Sequence, residues 1–254
     1  MQTLEYFDCS CYFGKRTVVN PGSFYRVEDL ITKMEYYGIG KALVYHSMAR
    51  ESAPVTGNEM LMNDIKNYPS LIPVWVVMPH HTGEFPDPGT LREQLKLNGV
   101  RAVRMFPLIT DHNYCISEWN CGELFSMLER CSIPLLIGYD QFKWDELYGL
   151  CSSHPDLHVI LTDMNYREDR NLYPLLKKFG NIYVETFGYK QHHGIEEICS
   201  RFGANRLIFG SGMPLQSGAS GVTMINYARI GEEEKRMIAS GNLERLMECV
   251  RYDR

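Results

Sequence analysis

No run in this sequence approaches the roughly eighteen uninterrupted apolar residues that a membrane-spanning helix needs. The chain opens on a strand-like segment with neither the basic region nor the apolar core of a secretion signal, so export is not expected. No charge of one sign dominates: the formal net charge is -5, spread along the chain. That argues against nucleic acid or an anionic membrane as the main partner. There is no CxxC pair, and the eight cysteines (9, 11, 115, 121, 131, 151, 199 and 249) are scattered over strand-like and helix-like segments. Such scatter is neither a disulfide framework nor a structural zinc motif, so reduced cysteines and a cytoplasmic location are expected. No GxGxxG follows the first strand-like run, which weakens a dinucleotide-binding reading. Internal repeats, low-complexity tracts and long linkers are also missing.

What is present is a steady alternation. Hydrophobic residues make up 44% and charged residues 22% of 254 residues, enough for a core of normal size. Eight short, nearly continuous apolar runs recur: 4–10, 41–47, 71–78, 99–106, 133–138, 157–163, 181–186 and 206–211. They suit strands buried on both faces. Helical stripes fall between them. Val27, Leu30, Ile31 and Met34 are spaced i, i+3, i+4, i+7 ahead of Gly38; Thr90 to Glu93 has capping-box form; Asn120 precedes Leu124, Met127, Leu128 and Cys131. Further stripes are Leu172–Phe179, Ile195–Phe202 before Gly203, and Glu232–Val250 with a break at Gly241-Asn242.

Eight strands alternating with eight helical segments predict a single (β/α)8 TIM barrel over residues 1–254, with an open doubly wound sheet as the rival. The longest connection, 212–231, carries several glycines and reads as a functional or mobile loop.

In such a barrel the chemistry sits at the C-terminal strand ends. Those ends read Asp8-Cys9-Ser10-Cys11-Tyr12, His46-Ser47, Met78-Pro79-His80-His81, Arg104-Met105-Phe106, Gly138-Tyr139-Asp140, Thr162-Asp163, Glu185-Thr186 and Ser211-Gly212-Met213. With these residues, nearly the whole chain resembles the amidohydrolase-related TIM-barrel family, whose members hydrolyse or decarboxylate small substrates on a divalent metal. Asp8 to Gly14 fits the frame of that family's Asp-x-His-x-His-x-Gly strand, and 154–163 is similar to its "His-Pro-Asp-Leu" sixth-strand stretch. Residues 206–214 are similar to its eighth-strand segment.

The ligands implied by the resemblance are replaced. Ser10 and Tyr12 stand for the first-strand histidines, Gly138 for the fifth-strand histidine, Asp163 for the sixth-strand histidine and Gly212 for the eighth-strand aspartate. Glycine can neither ligate a metal nor take a proton, so no metal ligand set and no cofactor are expected; the alternative is zinc or manganese on substitute ligands. Strict strand alternation places Cys9 and Cys11 on one face, opposite Ser10 and Tyr12, against a Cys9/Cys11 site. A rebuilt site from His46, His80, Asp163 and Glu185 has no short motif behind it.

Three function classes follow. The first is a metal-free barrel that binds a small, anionic molecule or serves as a regulatory or structural relative of active enzymes (a pseudoenzyme), with Ser10, Tyr12, His80, Arg104 and Glu185 as ligand-binding candidates. The second is a metal-independent acid–base enzyme on a small carboxylic acid, with His46 and Asp163 as catalytic groups. The third is a metal-dependent hydrolase or decarboxylase, as the resemblance alone implies. Arg104 in a barrel mouth needs Asp163, Glu185 or another acid, or an anionic ligand, as partner. Tyr12 fills the volume a metal would occupy. Ser211 lies in GSG rather than a GxSxG elbow, so a nucleophile there has little support. A homo-oligomer is compatible with all three.

Overall fold

Apolar runs buried on both faces become parallel strands, and eight of them close a barrel. The computed structural model describes residues 4–253. The strands are β1 (Tyr6–Phe13), β2 (Ile39–His46), β3 (Leu71–Val76), β4 (Ala102–Met105), β5 (Leu135–Gly138), β6 (Val159–Thr162), β7 (Ile182–Glu185) and β8 (Leu207–Ile208), ordered in space as in sequence. The seam between β8 and β1 is closed by two backbone bonds, Cys9 N–H to Phe209 O at 3.0 Å and Tyr12 N–H to Met213 O at 3.1 Å. The architecture is a single (β/α)8 TIM barrel.

The helices are α1 (Val27–Tyr37), α2 (Ser47–Glu51), α3 (Pro54–Ile65), α4 (Pro88–Leu97), α5 (Glu118–Arg130), α6 (Trp144–Ser153), α7 (Asp169–Lys178), α8 (Gly194–Phe202), α9 (Gly218–Tyr227), α10 (Glu232–Arg236) and α11 (Asn242–Cys249). None among the described residues is long and apolar enough to cross a membrane. Two apolar layers result. Outward strand residues such as Val44, Trp75, Val103, Ile137 and Val184 pack against the helices. Inward ones such as Phe7, Leu43, Val76, Leu136, Ile160 and Ile208 fill the barrel, where Leu243, Leu246 and Met247 of α11 join them. Each fully buried side chain of this size contributes about 1.5–3 kcal/mol.

Several local expectations change. Gly38 does end α1, in the left-handed conformation at φ 71°. The capping box at Thr90 gives way to an earlier start: Asp87 caps α4, accepting the N–H groups of Gly89 and Thr90, with Pro88 in the first turn. The 212–231 connection is not all loop, because α9 occupies its middle. Gly241-Asn242 does not break the last helix; a π turn over Met237–Gly241 joins α10 to α11 instead. Within that turn Ile238 O accepts the Phe209 N–H at 3.0 Å, tying it to the end of β8.

Candidate functional site

A bulge in β1 shapes the mouth. Asp8 pairs with Ala42 of β2 but Cys11 pairs with Val44, so β1 carries one extra residue there. The face alternation therefore flips. Cys9 and Tyr12 both point into the barrel, whereas Cys11 packs in the outer layer. The expectation that Cys9 and Cys11 share a face is corrected, and no common site for the two thiols exists. Burial pushes both thiols well above their usual range, with neighbouring acids adding to it.

The bulge also turns Asp8 into the closing clasp of the barrel. Its Oδ1 accepts the N–H of Ser10 at 2.9 Å and of Ser211 at 3.1 Å, while the Cys11 thiol donates to Oδ2 at 3.2 Å. Asp8 is fully buried; burial raises its pKa, and the donors around it oppose that rise. Ser10 thus sits against the β1/β8 seam through its backbone.

Across the mouth, β4, β6 and β7 bring Arg104, Asp163 and Glu185 together. Arg104 Nη2 donates to Thr162 Oγ1 at 2.8 Å and to Asp163 Oδ2 at 3.2 Å. Its guanidinium lies 5.1 Å from the ring centres of both Tyr45 and Phe106, and it is 4% exposed. The pairing with Asp163 answers the sequence question about its partner. Two aromatic rings and the Thr162 and Asp163 side chains thus surround the Arg104 guanidinium. Arg104 Nε is buried with no partner among the described residues.

Glu185 faces the same cluster, with Oε2 accepting the Asp163 N–H at 3.1 Å and Oε1 the Phe187 N–H at 2.8 Å. It fits there because residue 210 is glycine: a Cβ at that position would lie 1.9 Å from Glu185 Oε1. Burial drives the Glu185 carboxyl well above the usual range, and the nearby Asp163 pushes it further. Asp163 takes the left-handed backbone conformation, φ 62°, pinned by its bond to Glu185, and its side chain is partly open to solvent.

Aromatic rings fill the space between these groups. Tyr12 packs on Tyr45 with ring centres 5.4 Å apart, and Tyr45 on Phe106 at 5.3 Å. Around them a network absent from the sequence reading ties three βα loops: Arg50 Nε to Asp111 Oδ1 at 2.9 Å, Gln141 Nε2 to Asp111 Oδ2 at 3.1 Å, and Leu108 N–H to Gln141 Oε1 at 3.0 Å. Its members lie far apart in sequence, so no local motif announces it.

Two candidate histidines stand apart. His46 lies on the outward side of β2, edge-on to Phe13; its Nδ1 accepts the Met48 N–H at 3.1 Å, and Nε2 is 3.9 Å from Asp64. Burial lowers its pKa. It caps α2 and does not reach the Arg104–Asp163–Glu185 cluster. His80 faces Glu123 of α5 at 3.7 Å, with His81 against it, on the outer rim. The rebuilt set of His46, His80, Asp163 and Glu185 is therefore not assembled. Among the described residues, no group of three or more His, Cys, Asp or Glu is placed to hold a metal.

At the mouth a cavity of about 480 Å³ opens between Tyr12, the β1–α1 connection and Leu215. Lys15 and Arg16 supply its cations, and Val18, Val19, Phe24 and Tyr25 much of its apolar wall. Arg16 is bonded to Glu51 at 2.5 Å and lies 5.7 Å from the Tyr12 ring centre; Lys15 has no ion pair among the described residues. The sequence reading missed both cations, for which adjacency to Gly14 was the available signal.

The model of the amidohydrolase family matches residues 31–247. This chain belongs to the amidohydrolase family. The match begins after β1, so the Asp8–Gly14 strand end lies outside it. Solved structures resemble this family member along nearly its whole length. An uncharacterised TIM-barrel protein from Bordetella bronchiseptica superposes with a TM-score of 0.76 at 16% identity, covering 97% of this chain and 99% of its own. The 2,6-dihydroxybenzoate decarboxylase from Rhizobium gives 0.75 at 13% identity over 97% and 99%. A dihydroxybenzoic acid decarboxylase from a Polaromonas species, solved with bound manganese and the inhibitor 2-nitroresorcinol, gives 0.73 at 13% over 97% and 97%. At such identities the likeness carries the fold alone. No curated protein matches the sequence.

Proposed function

We propose that this amidohydrolase-family barrel binds a small anionic molecule without a metal and is not a hydrolase. The mouth cavity carries the reading. It is within the size range of small-molecule sites, is walled mainly by apolar side chains, and has at one side Lys15, which has no ion pair among the described residues, and Arg16, which is paired with Glu51. A small carboxylate with an apolar body matches that lining, its charge toward Lys15 and Arg16 and its body against Tyr12 and Phe24.

The donor set does not fit the metal that the family pattern implies. At Gly212 a Cβ would lie 2.6 Å from the Phe187 ring, and φ is 69°, so an aspartate has no room while Phe187 is in place. A Cβ on Gly138 would come within 2.8 Å of Asp140 Oδ1 and 3.5 Å of Asp163 Oδ2. Tyr12 and Tyr45 take up the centre of the mouth. The test is a thermal-shift panel of small aromatic and aliphatic carboxylates in the presence of EDTA. A fitting carboxylate at a hundred times its Kd is expected to stabilise by about 2.7 kcal/mol, and the Lys15→Ala/Arg16→Ala double variant to abolish most of this. Carboxylates that stabilise the protein only after zinc or manganese is added would overturn the reading.

One observation favours a second reading, metal-independent acid–base chemistry on a small carboxylic acid. Burial and the nearby Asp163 favour the uncharged form of the Glu185 carboxyl, and Asp163, bonded to Arg104, is the acid of the cluster that solvent reaches. Turnover that persists in EDTA and disappears in Asp163→Asn would establish it.

A further inference from the structure

The charges around the mouth cavity do not count equally. Among the described residues no aspartate or glutamate lines it, and its two cations, Lys15 and Arg16, are neighbours on the β1–α1 connection. That connection is pinned at both ends of the pair. Ser47 Oγ donates to Lys15 O at 3.0 Å, and the Thr17 N–H donates to Glu51 Oε2 at 2.6 Å. Glu51, the last residue of α2, offers its other oxygen to Arg16 Nε at 2.5 Å. Partial burial acts to raise the Glu51 pKa, but the bonds from Arg16 and Thr17 outweigh it and hold the carboxyl below its usual range, so it is charged at neutral pH. The nearby Arg50 is cancelled in the same way by Asp111, at 2.9 Å. Of these three cations, Lys15 alone has no ion pair among the described residues.

An arginine committed to a carboxylate has little attraction left for a ligand, because beyond the pair the two opposite charges nearly cancel. A first negative charge on a ligand meets Lys15. A second must shed water without meeting a free cation, and is repelled by the Glu51 carboxylate behind Arg16. We propose that Glu51 sets the charge class of the mouth ligand: a singly charged anion with an apolar body is taken, and a doubly charged one of the same shape is turned away. This rests on the reading of the mouth as an anion site and adds which anions it accepts. Alkyl carboxylates and alkyl sulfates fall inside the class. Dicarboxylates fall outside it, as do phosphate monoesters, which carry about 1.5 to 2 negative charges at pH 7.

The experiment uses the full chain and calorimetric titration with hexyl sulfate and hexyl phosphate, which share a body and a tetrahedral head and differ in charge. Heptanoate serves as the carboxylate. At about pH 8 the wild-type protein is expected to bind hexyl sulfate about tenfold more tightly than hexyl phosphate. Lowering the pH to about 5 protonates the phosphate head, whose second pKa is about 6, and should close most of that gap. Hexyl sulfate keeps its charge throughout and so corrects for titration of the protein. Lys15→Ala should weaken both. Glu51→Gln leaves Arg16 uncancelled and should move the ratio about tenfold toward hexyl phosphate. Arg16→Ala/Glu51→Gln removes the pair together, returns the mouth to its wild-type net charge, and should restore the preference for hexyl sulfate, which a merely structural role for Glu51 would not do. Each ratio is taken within one variant, so a loosened connection that weakens all ligands alike leaves it readable. Hexyl phosphate binding the wild type as tightly as hexyl sulfate at about pH 8, or a ratio unmoved by Glu51→Gln, would overturn the proposal and leave the mouth reading standing. Absence of binding by both hexyl sulfate and heptanoate would overturn that reading, and this one with it.

Discussion

Asp8 and Glu185 are both fully buried carboxyls at the rim of the same barrel, yet the chain uses them differently. Asp8 gathers two backbone N–H groups on one oxygen and a thiol on the other, and so joins β1 to β8. Glu185 spreads two backbone N–H groups over both oxygens and holds two βα turns, at Asp163 and Phe187. The first is a clasp on the seam; the second is a brace that ties two βα turns together. What separates them is how acceptors are matched to donors, not how deeply they are buried.

The sharpest break in this comparison is Asp8→Ala. It strands the Ser10 and Ser211 N–H groups, each costing about 1–3 kcal/mol, and urea unfolding should show the largest loss of all the variants. Asp8→Asn keeps the oxygen that serves both and should lose less than about 1 kcal/mol. Next is Gly212→Asp, which restores the family residue. A side chain in the left-handed conformation costs about 1–3 kcal/mol, before the collision with the Phe187 ring, so a clear drop in melting temperature is expected with no gain in metal content.

Glu185→Gln sharpens the contrast from the other side. An amide nitrogen must face one of the two N–H groups, so this nominally conservative change should cost about 1–3 kcal/mol, more than Asp8→Asn. The pH dependence follows. The folded pKa of Glu185 lies above its unfolded value near 4.5, so its contribution is fully present below pH 4.5 and is lost as pH rises toward the folded value. Unfolding free energy should therefore fall with rising pH above that point, and Glu185→Gln should remove more of the slope than Asp8→Asn. The smallest effect belongs to His46→Ala, outside both clusters. Loss of a helix cap costs about 0.5–2 kcal/mol, and carboxylate binding at the mouth should be unchanged.

Much of this was legible in the sequence. All eight strands lie where continuous apolar runs predict them, because burial on both faces leaves little room for polar residues. That Arg104 needs an acid or an anion was readable from its place at a strand end, with Asp163 and Glu185 both on offer; the structure selects Asp163. Face assignments were less secure. One extra residue in β1 moved Cys9 inward and Cys11 outward, and a bulge leaves no mark in hydrophobic rhythm. His46 follows the inward Tyr45 by one residue and so points away from the mouth. The Arg50–Asp111–Gln141 ties and the Phe187 ring over Gly212 depend on contacts between distant segments, which a single sequence does not display.

The central claim is that this family member works without a metal. It is tested most directly by elemental analysis of the untagged protein, purified without chelator from cells grown with added zinc and manganese. Metal well below one equivalent per chain is the expected result. Close to one tightly held zinc or manganese per chain would contradict the account and require ligands other than those Ser10, Tyr12, Gly138 and Gly212 can supply.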